Sequence, residues 1–279
     1  MGARKISTTR TPAITVTITQ PASTQQVQQL CKMAPTAEPT AQLSHLPKAD
    51  GSATFSYCGF AVTAAVNGPV EAPRRDENAF EALVDVVVRP AAGVGERQLE
   101  SLLEPALRQL IPVRNFPRCM IQISLQVMEM PENAYVNAKI LQAQLNLAII
   151  PALIHAALLG LLTAAVPLKA IATATTLVIG PDDSPEIVVD PTMVQVDNAK
   201  SVHVLGFTSD DELLLAESSG SFSTEEWDKV LETGQRVCCQ GRNAGLDTAM
   251  ADDSTESASI RRFIRSVMET KTAADLHWK

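Results

Sequence analysis

The chain has 279 residues, 46% of them hydrophobic and 19% charged, and a net charge of −8. That apolar content excludes a wholly disordered chain, and the length suggests about two domains. The acidity argues against holding nucleic acid by bulk charge, and 4% aromatic residues weakens a base-stacking platform, so any such contact must be local or shared with partners.

Residues 1–45 are rich in Thr, Gln, Ala and Pro with little periodicity. They are expected to form a mobile extension, with a short helix near 25–32. Asp50-Gly51-Ser52 signals the turn where order begins. Strands are expected at 53–57 and 60–66, joined at Cys58-Gly59, with Asn67-Gly68-Pro69 ending the second. A loop bearing Arg74 and Arg75 leads to a strand at 83–89. Over 96–111, Leu99, Leu102, Leu103, Ala106, Leu107 and Leu110 share one face, the spacing of a helix lying on a sheet. Pro105 inside it allows a kink or a break. Over 118–128, Ile121, Ile123, Leu125 and Val127 alternate with Gln122, Ser124 and Gln126, a strand with one buried face.

A long helix is expected over 137–164. Its segment 145–168 carries no formal charge and is long enough to cross a bilayer. It contains Pro151, His155 and Gly160 and lacks a flanking aromatic belt, so the reading is a buried core helix. Further strands are expected at 169–179, 186–189, 201–208 and 212–217. A helix over 224–239 opens with the capping box Ser223 and Glu226 and should bury Trp227, Val230, Leu231, Gly234 and Val237. Residues 241–259 read as a polar linker. Ile260, Phe263, Ile264, Val267 and Met268 predict a last amphipathic helix over 260–269. The order of strands and helices is that of an α+β domain, 46–240, followed by a linker and helix, 241–279.

Nucleotide-binding, zinc-protease and nucleophile-elbow motifs are missing. The four histidines (45, 155, 203, 277) lack metal-ligand spacing, and His155 reads as a core histidine. Five cysteines, at 31, 58, 119, 238 and 239, include no C-x-x-C and read as reduced thiols.

Several short segments occur in a specific order. They are Asp50-Gly51-Ser52, Gly68-Pro69 with Glu71, Val86-Val87-Val88-Arg89-Pro90, Glu96-Arg97-x-Leu99-Glu100, Phe116-Pro117-Arg118, Ala164-Ala165-Val166-Pro167-Leu168 and Val188-Val189-Asp190-Pro191-Thr192. Together, over about 50–240, they resemble the RNase PH-like proteins, and among these the small non-catalytic ring subunits of the eukaryotic RNA exosome.

The resemblance implies an RNase PH-like α+β fold with mixed and antiparallel sheets and helices packed between and against them. Active members are phosphorolytic exoribonucleases that hold phosphate with a Gly-Thr-Arg or Gly-Ser-Arg motif at the start of the Ala-rich helix. A helix N-terminus with a guanidinium suits a tetrahedral anion. That motif aligns with Ala148, Ile149 and Ile150, which cannot hold phosphate. Of the family's two active-site aspartates, Asp190 matches the first, the second falls at Val196, and Asp197 is one residue off. Asp190 is therefore either a vestige of the site with residual metal binding, or a turn former bonding backbone N–H groups.

The loop with Arg74 and Arg75 faces the central pore in ring-forming relatives, and Arg97 matches an RNA-contacting arginine. The resemblance thus implies a non-catalytic ring subunit without cofactor or metal. Its partners would be other RNase PH-like subunits in a hetero-hexamer, cap subunits with RNA-binding modules, a separate nuclease and single-stranded RNA, with no membrane. Its place would be the nucleus and nucleolus, and also the cytoplasm. The alternatives are a phosphorolytic 3′–5′ exoribonuclease with a rearranged site, and a free nucleic-acid-binding protein, which the acidity disfavours.

Overall fold

Alternating apolar residues build one sheet, strands buried on both faces form the centre of a second, and an apolar helix fills the space between them. The computed structural model describes residues 14–16, 38–89, 96–131, 139–181, 186–239 and 260–277. The first sheet contains β1 (Ile14–Val16), β2 (Thr40–Leu43), β3 (Gly51–Tyr57), β4 (Phe60–Glu71), β5 (Leu83–Arg89) and β6 (Cys119–Glu129), in the order β1-β2-β3-β4-β6-β5. All neighbours are antiparallel except β5 and β6. That parallel pair requires a crossover, supplied by α1 (Glu96–Leu110).

Cys58 and Gly59 take φ of 50° and 80°, as a two-residue hairpin with right-handed twist requires. The second strand does not stop at Asn67-Gly68-Pro69 as expected. β4 runs on to Glu71, and the register jumps between Asn67 and Val70, so Pro69, which has no N–H, falls in a bulge. The Asp50 carboxylate accepts the Gly68 N–H at 2.9 Å and fixes that bulge. α1 continues through Pro105. Pro105 and Ser101, the residue whose carbonyl it leaves free, both face solvent.

α2 (Lys139–Thr163) lies between the sheets, and every residue from Ile149 to Leu161 is buried. No helix among the described residues is long and apolar enough to cross a membrane. The second sheet contains β7 (Ala172–Ile179), β8 (Ile187–Val189), β9 (Ser201–Thr208) and β10 (Leu213–Gly220), in the order β10-β9-β7-β8. β7 and β9 are buried along their whole length, between α2 and α4 (Thr224–Cys239). The capping box forms: Ser223 N–H donates to Glu226 at 2.7 Å, and Glu226 N–H to Ser223 Oγ at 3.2 Å. α4 buries Val230, Gly234 and Cys238, an i, i+4, i+8 stripe, rather than Val237.

A short helix, α3 (Met193–Asp197), was not legible, since five residues carry no periodicity. α5 (Ile260–Leu276) runs longer than expected and buries Phe263, Ile264 and Val267, with Phe263 and Phe55 ring centroids 6.3 Å apart. β1 and β2 lie inside the stretch expected to be mobile; β2 is ordered because Ala41 and Leu43 pair with Phe55 and Ala53 of β3. The helix near 25–32 and the linker at 241–259 fall outside the described residues.

His155 is a core histidine. Its Nε2 accepts the Ala174 N–H at 3.1 Å, and Phe55 packs against its ring. Burial pushes His155 down to about 3, and burial opposed by Glu226 pushes His203 down to about 4. Unfolded histidine titrates near ~6.5, so below that pH the unfolded chain takes up protons that the folded chain refuses. Stability present above that pH is therefore lost as pH falls toward the folded values. His155→Gln keeps an acceptor and cannot be protonated. Its unfolding midpoint is expected to fall less between about pH 7 and pH 4 than that of the parent chain. Equal falls would show that His155 plays no part in acid sensitivity.

Candidate functional site

Ala148, Ile149 and Ile150 occupy the interior of α2, nine residues and more beyond its start at Lys139. Ile149 and Ile150 have no exposure. A helix offers an anion only the N–H groups of its first turn; further in, each is bonded to the carbonyl four residues back. Both the side chains and the backbone geometry of a phosphate cradle are therefore absent at this position.

Asp190 follows β8 with φ 50°, and its N–H donates to the Thr176 carbonyl at 2.9 Å. The carboxylate meets the Thr176 backbone, as the turn reading expects, and in addition two side-chain hydroxyls. Tyr57 Oη donates to Oδ2 at 2.8 Å and Thr175 Oγ1 to Oδ1 at 3.2 Å. Burial holds Asp190 above the usual carboxylate range; hydrogen bonds from Tyr57, Thr175 and the Thr176 backbone oppose it. Val196 is buried, and Asp197 ends α3 with one buried, unpartnered oxygen. Among the described residues, no group of three His, Cys, Asp or Glu could hold a metal ion.

The described cysteines, Cys58, Cys119, Cys238 and Cys239, are free. Burial raises Cys58 and Cys238 to about 12 and Cys239 to about 11, so these three stay protonated at neutral pH.

Arg74 and Arg75 sit in an exposed turn just past β4, closed by a bond from Asp76 N–H to the Pro73 carbonyl at 2.9 Å. Neither pairs with a carboxylate among the described residues. Neighbouring acids are largely occupied: Glu77 by Arg118 at 3.3 Å, and Glu81 by Arg108. The loop is pinned to 112–118 by bonds from Ala82 N–H to Val113 O, Arg118 N–H to Asn78 O and Ala72 N–H to Arg118 O. Arg114, Arg118 and the highly exposed Phe80 therefore share this end of the sheet with Arg74 and Arg75. In the sequence Arg118 stands out only as part of Phe116-Pro117-Arg118; its place beside the loop depends on the β4–β6 pairing.

Arg97 is not part of this group. It is exposed in the first turn of α1, and Glu100, one turn on, accepts the Val88 N–H at the far end of β5. Arg108, near the other end of α1, meets Glu81 beside the basic loop. The length of β5, seven residues or about 20 Å, separates Arg97 from the loop.

Residues 38–167 match the model of the 3′ exoribonuclease family, domain 1 (RNase PH). The chain is 31% identical over 207 residues to exosome complex component RRP46 of Saccharomyces cerevisiae, covering 71% of this chain and 89% of the relative. The chain belongs to the RNase PH-like family. A second relative, exosome complex component rrp46 of Schizosaccharomyces pombe, is 28% identical over 194 residues, covering 67% of this chain and 79% of its own. Rice (Oryza sativa) Rrp46 shares the fold, with a TM-score of 0.65 at 22% identity over 83% of this chain and 94% of its own. So does a chain of the Archaeoglobus fulgidus exosome solved with RNA bound to the active site, with a TM-score of 0.57 at 14% identity over 73% and 86%. The α+β RNase PH-like fold expected from the sequence is thus the fold of the chain.

Proposed function

We propose that this RNase PH-like chain is a non-catalytic ring subunit of an RNA exosome, of the fungal component-5 type. It joins other RNase PH-like chains around a pore, beneath cap subunits, and passes single-stranded RNA to a separate nuclease in the nucleus, nucleolus and cytoplasm. The observation that carries this reading is the replacement of the phosphate cradle by Ala148, Ile149 and Ile150 within α2. The exosome relatives support the assembly. Arg74 and Arg75 would touch RNA phosphates in the pore, and Arg97 would make a separate contact on the same strand.

The test is one purification. Tagged and recovered from its own cells, the chain should bring further RNase PH-like chains with it. Given single-stranded RNA, inorganic phosphate and magnesium, the material should release no nucleoside diphosphate. Release that disappears on Asp190→Asn would establish a phosphorolytic exoribonuclease with a rearranged site instead. A soluble monomer without partners would overturn the ring assignment.

A further inference from the structure

We propose that Asp190 works as a clamp that ties the second sheet to the first, with Tyr57 and Thr175 as its two grips. The inference concerns the chain's own two sheets and does not depend on the ring assignment. Tyr57 ends β3 in the first sheet; Thr175 lies on β7 and Asp190 just past β8 in the second. The sheets also meet through α2, which packs on both, and through α5, whose Phe263 packs on Phe55 while Arg261 donates to the Ser209 carbonyl just past β9. The Tyr57–Asp190 bond joins them directly across 133 residues of sequence.

Each part suits this use. Both carboxylate oxygens accept from protein hydroxyls, at 2.8 and 3.2 Å, one from each sheet. Asp190 sits at φ 50°, a conformation that Asp and Asn tolerate better than other non-glycine residues. Its N–H is fixed to Thr176. Burial and the neighbouring carboxylate push the Tyr57 hydroxyl well above its ordinary range, so it remains a donor.

Among the described residues, no cation acts on Asp190. Cys58 from the hairpin, Thr175 and Thr176 from β7, Cys238 from α4 and Tyr57 from β3 are the groups that act on Asp190 or feel its charge. All are neutral near pH 7. The two hydroxyls and the Thr176 backbone therefore carry the support of the carboxylate, and removing one hydroxyl leaves it short of a partner. In this arrangement the carboxylate serves as an internal tie.

A double-mutant cycle on the full chain, copurified with its partners, decides this. Tyr57→Phe removes one hydroxyl and leaves the ring. Asp190→Asn keeps the shape and the tolerated φ but removes the charge. Tyr57→Phe is expected to lower the thermal midpoint by roughly 4–10 °C in the parent chain. In the Asp190→Asn background the loss should shrink to less than half. Thr175→Val gives a second, independent arm with the same expected coupling, and serves alone if the Tyr57 variant does not accumulate. Equal losses in both backgrounds would mean that Tyr57 and Thr175 act only by packing, and would overturn the clamp.

Discussion

Gly51→Val is expected to abolish soluble accumulation of the chain, and Gly51→Ala to cost about 3 kcal/mol, at the upper end of overpacking penalties. Gly51 opens β3 where α2 comes closest to the first sheet. A Cβ there would collide with the Ala164 N–H and the Gly160 carbonyl, and would lie 2.6 Å from the Ala164 Cβ. Two of these atoms are backbone and cannot rotate away. Nor can the helix easily retreat along its other contacts. A Cβ on Gly160 would already stand 3.0 Å from Val66 and 3.2 Å from Ala64, so strand and helix meet glycine to glycine. Shifting α2 would also pull His155 from Ala174 and disturb the core that α2 shares with both sheets. Denaturant unfolding of Gly51→Ala and the soluble yield of Gly51→Val measure the effect. Gly59→Ala is the control: its Cβ would meet only Pro131, at 3.5 Å, and its φ of 80° should cost about 1 kcal/mol. If Gly51→Ala were no worse than that control, the close approach would not be limiting stability.

The elements legible in the sequence are those whose signal is local. β5, β9 and α4 begin and end where alternation and the capping box place them. β4 was cut short because Gly68-Pro69 is a turn signal when read alone; only the pairing with β6 converts it to a bulge. β2 has the Thr-, Ala- and Pro-rich composition of the rest of 1–45 and becomes a strand because β3 offers it an edge. The site divides in the same way. That Ala148, Ile149 and Ile150 cannot bind phosphate is a matter of residue type, and Arg74 and Arg75 announce themselves in a loop. The distance of Arg97 from that loop follows from the direction of β5 beside β6, which no local pattern encodes. The Tyr57 hydroxyl on Asp190 is likewise a product of two sheets closing on one another, so the sequence offered a backbone-bonded turn or a vestigial metal ligand, and not this contact.

Reversing Arg74 and Arg75 to Glu should weaken RNA binding by the assembled ring roughly 10- to 100-fold at low salt and leave assembly intact. The loop makes the second half of that statement firm. Both side chains stand in solvent, and the bonds that pin the loop run through Ala72, Asn78, Ala82, Val113 and Arg118, not through the two arginines. Changes at such positions cost within about 0.5 kcal/mol. The first half rests on charge. Glu77 and Glu81 are engaged by Arg118 and Arg108, which leaves Glu71 and Asp76 as the other carboxylates close in sequence to the two arginines. That near balance is expected to make the isolated chain a weak RNA binder. Inside a ring, pore walls exclude water and neighbouring subunits pool their contacts, so each arginine counts for more. Phosphates carry no base identity, so the loss should be the same for RNAs of any sequence. Each lost single-strand contact lowers the salt slope by about 0.7, so the double reversal should lower it by about one to two. Arg97→Glu, at the far end of β5, should lower affinity by a separate increment that adds to this loss, because sites so far apart do not couple. The measurement is RNA affinity against salt concentration on rings rebuilt with each variant, together with the length of RNA they protect from nuclease. An unchanged slope and an unchanged protected length would leave Arg74 and Arg75 as ordinary surface charges, and would move the RNA path away from this loop.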